Sequence, residues 1–206
     1  MHEAGKAGTN KALVGARSGQ EGIIWEQKCY KRERTMTIRT FRIAERADEE
    51  LLWEMLFYAA SMHEDGVDDY RAAKENAFLR AYVEGWGRDG DYGLLAIEQA
   101  SGAAIGAAWL RRIEGDEHRY AGVGADVPEL AVAIRPAFRG QGVGSALIAA
   151  LLKNLPSCYQ QIVLSVREEN PAYRIYQRLG FVTLSETTNR VGGRSFVMLW
   201  TSQGAP

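Results

Sequence analysis

Three glycines alternate where a strand gives way to a helix, in Arg139-Gly140-Gln141-Gly142-Val143-Gly144. Upstream, Glu129 to Ile134 (ELAVAI) reads as a strand that Pro136 ends. Downstream, Leu147, Ile148, Leu151, Leu152 and Leu155 keep helical spacing up to Pro156. Glycine lets the backbone come close to a ligand and take positive φ. The first amides of a helix have no internal acceptor, and the helix dipole adds partial positive charge there. The turn therefore suits an anion such as a pyrophosphate, and Arg139 adds a charge and a fork of donors. A plain glycine-rich turn without a ligand is the alternative. No Gly-Lys-Ser/Thr follows, so the pattern is not a P-loop. A dinucleotide fingerprint would place Gly or Ala where Ser145 stands. Glu168 lies in the general region of a ribose-binding acid, but Arg135 to Phe138 separate the strand from the first glycine.

The rest of the chain supplies a sheet and helices around this turn. Thr37 to Ala44 alternates like a half-buried strand. After Asp48, residues Leu51, Leu52, Met55, Leu56 and Ala59 share a helical face, and a second helix is predicted from Tyr70 to about Trp86. Tyr92 to Glu98 and Ala104 to Arg112 flank a Gln-Ala-Ser-Gly turn and read as a hairpin. A polar loop with Glu114, Asp116 and His118 follows. Ile162 to Val166 is a predicted strand, Pro171 to Leu179 a helix, and terminal strands run from Phe181, including Ser195 to Trp200. This order predicts an α/β fold, a mixed sheet with helices on both faces. Residues 1–36 show no sustained period and read as a disordered N-terminal extension outside a domain of residues 37–206. Trp53, Trp86 and Trp109 are assigned to the core.

Charge and cysteine content remove several classes. Lys plus Arg is 25 against 26 for Asp plus Glu, a net charge of -1, so the chain has no overall field for nucleic acid. Cys29 and Cys158 stand alone, and His2, His63 and His118 are scattered, which argues against a disulfide framework or a metal site. No apolar run approaches the ~20 residues that span a bilayer, and no signal-peptide stretch opens the chain. A cytoplasmic location without membrane partners is the expectation.

One strand and one helix after the glycine turn comes Asn170-Pro171-Ala172-Tyr173-Arg174-Ile175-Tyr176-Gln177-Arg178-Leu179-Gly180-Phe181. Asn170 suits an N-cap, Pro171 the first helical turn, and Gly180 the position past the end. Ala172, Ile175, Tyr176 and Leu179 share one face, so Tyr176 taken alone reads as a core aromatic whose hydroxyl finds a partner. The two motifs together resemble the GCN5-related N-acetyltransferase (GNAT) superfamily. Arg139, Gly142 and Gly144 match its Arg/Gln-x-x-Gly-x-Gly/Ala signature, and Ala172, Tyr176, Gly180 and Phe181 match its later Ala-x-x-x-Tyr-x-x-x-Gly-Phe. The likeness is strong over residues 129–181 and extends from about Met36 to Trp200.

That resemblance implies a GNAT-like mixed, mostly antiparallel central sheet and acetyl-CoA-dependent acetylation of an amine by direct transfer in a ternary complex. It places the coenzyme against Ala133, Ile134, Arg139, Gly140, Gln141, Gly142, Val143, Gly144, Ser145 and Asn170. It makes Tyr176 the donor to the departing thiolate and Glu129 a general base, acting through water. For Glu129 a structurally paired strand-end carboxylate is equally compatible. No metal is implied. The acceptor is a small-molecule or peptide amine, and the oligomeric state is open, a homodimer included. The early helices would line the amine side, where His63, Glu64, Asp65, Asp68 and Asp69 form either a cation-attracting cluster or a solvated loop. A non-catalytic acetyl-CoA sensor is the second reading.

Overall fold

The computed structural model describes residues 25–27 (backbone only), 39–114, 120–189 and 191–202. Cys29, His2, Asp116 and His118 lie outside them. The strands are β1 (Trp25–Gln27), β2 (Arg39–Ile43), β3 (Tyr92–Glu98), β4 (Ala104–Arg111), β5 (Glu129–Ile134), β6 (Gln161–Arg167), β7 (Val182–Thr188) and β8 (Arg194–Thr201). They form one sheet in the order β1-β2-β3-β4-β5-β6-β8-β7. Every neighbouring pair is antiparallel except β5 and β6. The helices are α1 (Glu49–Ala59), α2 (Ala72–Glu75), α3 (Ala77–Arg80), α4 (Val143–Lys153) and α5 (Ala172–Arg178). Among the described residues no helix is long and apolar enough to cross a membrane.

Both faces of the sheet are covered, which is why the central strands are apolar on successive residues rather than alternate ones. Leu94, Ala108, Leu110 and Leu130 pack with Leu147, Leu151 and Tyr176 under α4 and α5. Leu95, Ala107, Trp109, Ala131 and Ala133 pack with Leu52, Leu56 and Trp86 under α1 to α3. Trp53, Trp86 and Trp109 are all buried, as expected of core residues. A charged group joins them: Arg111 is 1% exposed, with its guanidinium in ion-pair contact with Asp91 and donating to the Glu84 and Gly85 carbonyls. Such an arginine is tolerable inside only because its donors are met.

Two sequence expectations change. The helix predicted from Tyr70 to Trp86 is two short helices and a run of turns. Asn76 takes an extended conformation (φ -84°, ψ 111°) and its side chain accepts from the Leu79 amide, ending α2 and capping α3. Trp25–Gln27, in the stretch set aside from the fold, pairs with β2, Trp25 opposite Phe41. An edge pairing uses backbone groups, so it left no periodicity to read. The remainder of residues 1–36 lies outside the described residues.

Candidate active site

β5 and β6 are parallel neighbours joined through α4, yet their register runs through a single Cα pair, Glu129 with Val163. Past that point they part. A cavity of about 300 Å³ opens between them, walled by Ala131 and Val132 on one side and Ser165 and Val166 on the other. A strand that leaves its neighbour turns backbone donors and acceptors to the gap. An extended ligand with amide groups can pair there as an added strand would.

Glu129 begins β5, and strand alternation puts it with Ala131 and Ala133 on the α1–α3 side. It is 6% exposed and lines the cavity. Burial raises its carboxyl to about 7, against the opposing pull of hydrogen bonds from Tyr82 and Tyr120. The Tyr120 hydroxyl donates to Oε1 at 2.9 Å. Both tyrosines line the same cavity. Burial, then the Glu129 charge, pushes their own phenols up, so they remain donors at neutral pH.

Tyr176 belongs to the opposite side, packed in the core under α4 and α5 with its ring edge-on to Phe181 at 5.5 Å. It also lines the cavity. Burial alone raises its phenol, and among the described residues its hydroxyl has no hydrogen-bond partner. The core-aromatic reading is therefore right for the ring but does not account for the hydroxyl. Asn170 lines the cavity as well, and its Oδ1 accepts from the Ala172 amide at 2.9 Å. It caps α5 from one residue further out than the sequence suggested, with Pro171 between.

The glycine turn follows a 3-10 turn, Pro136–Phe138, that fills the interval between strand and first glycine. Gly140 and Gly142 are left-handed, at φ 70° and 76°. A Cβ on either would meet nothing within 4 Å, so backbone conformation and not space demands glycine. Gly144 differs: its Cβ would rest 3.5 Å from Ile134 Cγ1, where α4 leans on β5. Val143, Gly144 and Ser145 form the first turn of α4, and the Gly142 carbonyl accepts from the Ala146 amide. The Gln141 side chain folds back to donate to the Ala137 carbonyl. Arg139 donates Nε to the Ile134 carbonyl and lies 3.4 Å from Glu64. Residues 139–145, with Ala133 and Ile134, sit at the far end of β5 and do not line the cavity.

The acidic stretch after α1 is mostly paired. Asp65 meets Arg167 at 2.9 Å, Glu64 meets Arg139, and Asp69 meets Arg71 at 2.9 Å. His63 sits 3.4 Å from Glu64, and burial lowers its pKa. These contacts tie the end of α1 to β6 and to the glycine turn. From this segment Ser61, held at φ 55°, reaches the cavity. Sequence reasoning missed Tyr82 and Tyr120, whereas Ser61 falls in the stretch from about Tyr58 to Tyr70 expected on the amine side. Tyr82 lay inside a helix predicted too long, and Tyr120 follows a loop with no pattern of its own.

Residues 90–183 match the model of the acetyltransferase (GNAT) domain. The mycothiol acetyltransferase of Nocardioides sp. (strain ATCC BAA-499 / JS614) is 31% identical over 160 residues, which is 75% of this chain and 52% of that protein. The chain thus spans about half the length of that curated relative. The yncA protein of Salmonella typhimurium, solved with its cofactor acetyl-CoA, shares the fold at TM-score 0.57 and 23% identity, covering 82% of this chain and 97% of that one. AAC(6')-Ib in complex with ribostamycin and coenzyme A shares it at TM-score 0.55 and 20% identity, over 80% and 94% of the two chains.

Proposed function

Because this chain belongs to the GNAT acetyltransferase superfamily, we propose that it transfers the acetyl group of acetyl-coenzyme A directly to the amine of a small-molecule or peptide acceptor, both bound at once. The observation that carries this reading is the parting of β5 from β6, which lets Glu129 and Tyr176 line one cavity. The coenzyme fits the chain's features. The left-handed turn and first amides of α4 suit its diphosphate, and the open edge of β5 suits the amides of its pantetheine arm.

The acetyl thioester supplies an electrophilic carbonyl, and the protein's residues manage two protons. An aliphatic amine is mostly an ammonium near neutral pH and has no lone pair with which to attack. Glu129, its carboxyl near 7, accepts that proton directly or through one water. Backbone N–H groups of the parted strand stabilise the charge that develops on the carbonyl oxygen. As the carbon–sulfur bond breaks, Tyr176, kept protonated by burial, donates to the departing thiolate, and the second proton, shed by the newly acetylated nitrogen, restores the phenol. An N-acetyl amine and free coenzyme A thiol result.

The test is an acceptor screen that reads thiol release, followed by mass spectrometry of the product. A mass gain of one acetyl group on an amine supports the proposal. Coenzyme binding with no thiol release across a broad amine panel would refute it in favour of a sensor.

A further inference from the structure

Arg39 opens β2 on the same strand face as Phe41, which packs in the core beneath α4. It is 9% exposed. Its Nη2 donates to the Gln141 carbonyl at 3.1 Å, across 102 residues of sequence. Its Nε is buried and has no hydrogen-bond partner among the described residues. Glu98, opposite it on β3, accepts instead from Ser101 Oγ at 2.6 Å. Among the described residues Arg39 forms no ion pair.

A guanidinium withdrawn from water without a counter-charge is costly. This one stands behind a turn where a helix N-terminus already places partial positive charge, and where Arg139 adds another cation. Arg139 has Glu64 as a partner, whereas Arg39 and the helix N-terminus share none among the described residues, and Glu98 across the strand accepts from Ser101. An anion held by the loop offsets both.

We propose that Arg39 is a positioning residue for the coenzyme's diphosphate, an inference that rests on the coenzyme reading above. It draws the Gln141 carbonyl towards the sheet, which favours the turn's amides facing outward. Its charge, on a residue only 9% exposed, deepens the field in which the diphosphate binds. The loop motif does not reveal it, because it arrives from the other end of the chain.

Calorimetry on the full chain with coenzyme A, at low and high salt, and with pantetheine, which lacks the diphosphate, tests this. Arg39→Met should weaken coenzyme A binding about tenfold or more and flatten its salt dependence, and leave pantetheine binding unchanged. The ligand-free melting temperature should hold or rise, since an unpaired buried charge is removed. Arg39→Lys, which keeps the charge and loses the fork, should fall between, and it carries the comparison if the methionine variant fails to fold. Unaltered coenzyme A affinity, or equal losses for coenzyme A and pantetheine, would overturn the role of Arg39 while sparing the coenzyme reading. A wild-type chain indifferent to coenzyme A would overturn both.

Discussion

Glu129 and Tyr176 are anchored on opposite faces of the sheet yet line one cavity, because β5 and β6 separate just beyond Glu129. A closed sheet would keep them apart, with its layer of paired backbone between. The gap gives one ligand access to a carboxylate from the α1–α3 side and a phenol from the α4–α5 side.

The acid limb of the transfer reaction should follow Glu129 and centre near pH 7, rate rising as the carboxyl loses its proton. Tyr120→Phe removes a donor that favours the ionised form. The limb should therefore move up by about one pH unit, given ~1.5 kcal/mol for a hydrogen bond to a charge. A pH–kcat/KM profile measures it, and a limb that stays in place would dissociate Tyr120 from Glu129.

Stability should depend on pH through the same group. The folded carboxyl, near 7, lies above its unfolded value of 4.5, so between those two pH values the native state holds the proton that the unfolded chain has lost. Unfolding free energy therefore falls as pH rises through this window, by on the order of 2–3 kcal/mol. Glu129→Gln abolishes that slope. Urea titrations at pH 4.5 and 8 should show the variant gaining on the wild type at the higher pH.

Tyr176→Phe removes one hydroxyl that has no partner among the described residues. The fold should therefore be barely affected, while kcat falls by about 10²-fold, the scale of general acid catalysis. Coenzyme affinity should stay within a factor of about two. Rapid-quench kinetics beside calorimetry separates the two quantities, and an unchanged kcat would remove Tyr176 from the chemistry.

Gly106 in β4 has no room for a side chain. A Cβ there would sit 2.4 Å from Ile134 Cδ1 and 2.8 Å from the Ala133 carbonyl oxygen, both on β5. Gly106→Ala should cost about 1–3 kcal/mol through overpacking. Adding Ile134→Val removes the nearer atom but leaves the backbone clash, so rescue should be partial. A double-mutant cycle in urea reads it, and full rescue would mean that β5 yields easily.

Much of this molecule was legible in its sequence, for local reasons. The strand at Glu129–Ile134, the glycine turn and the helix after it declare themselves by apolar spacing and by glycines that only left-handed backbone requires. The motif around Asn170 and Tyr176 is likewise a helix with its own cap and stop. Where a single residue outweighed periodicity, as Asn76 did by interrupting a predicted helix, local pattern misled.

Only the tertiary structure could decide what these pieces do together. Spacing along the chain carries no information on whether two parallel strands stay paired or part, since both outcomes leave the same apolar pattern in each strand. Nor does it show Tyr82 and Tyr120 closing on Glu129, or Arg39 reaching the turn at Gln141. Those contacts join residues distant in sequence or lying in unpatterned loops, and hydrogen bonds and buried charge act through space.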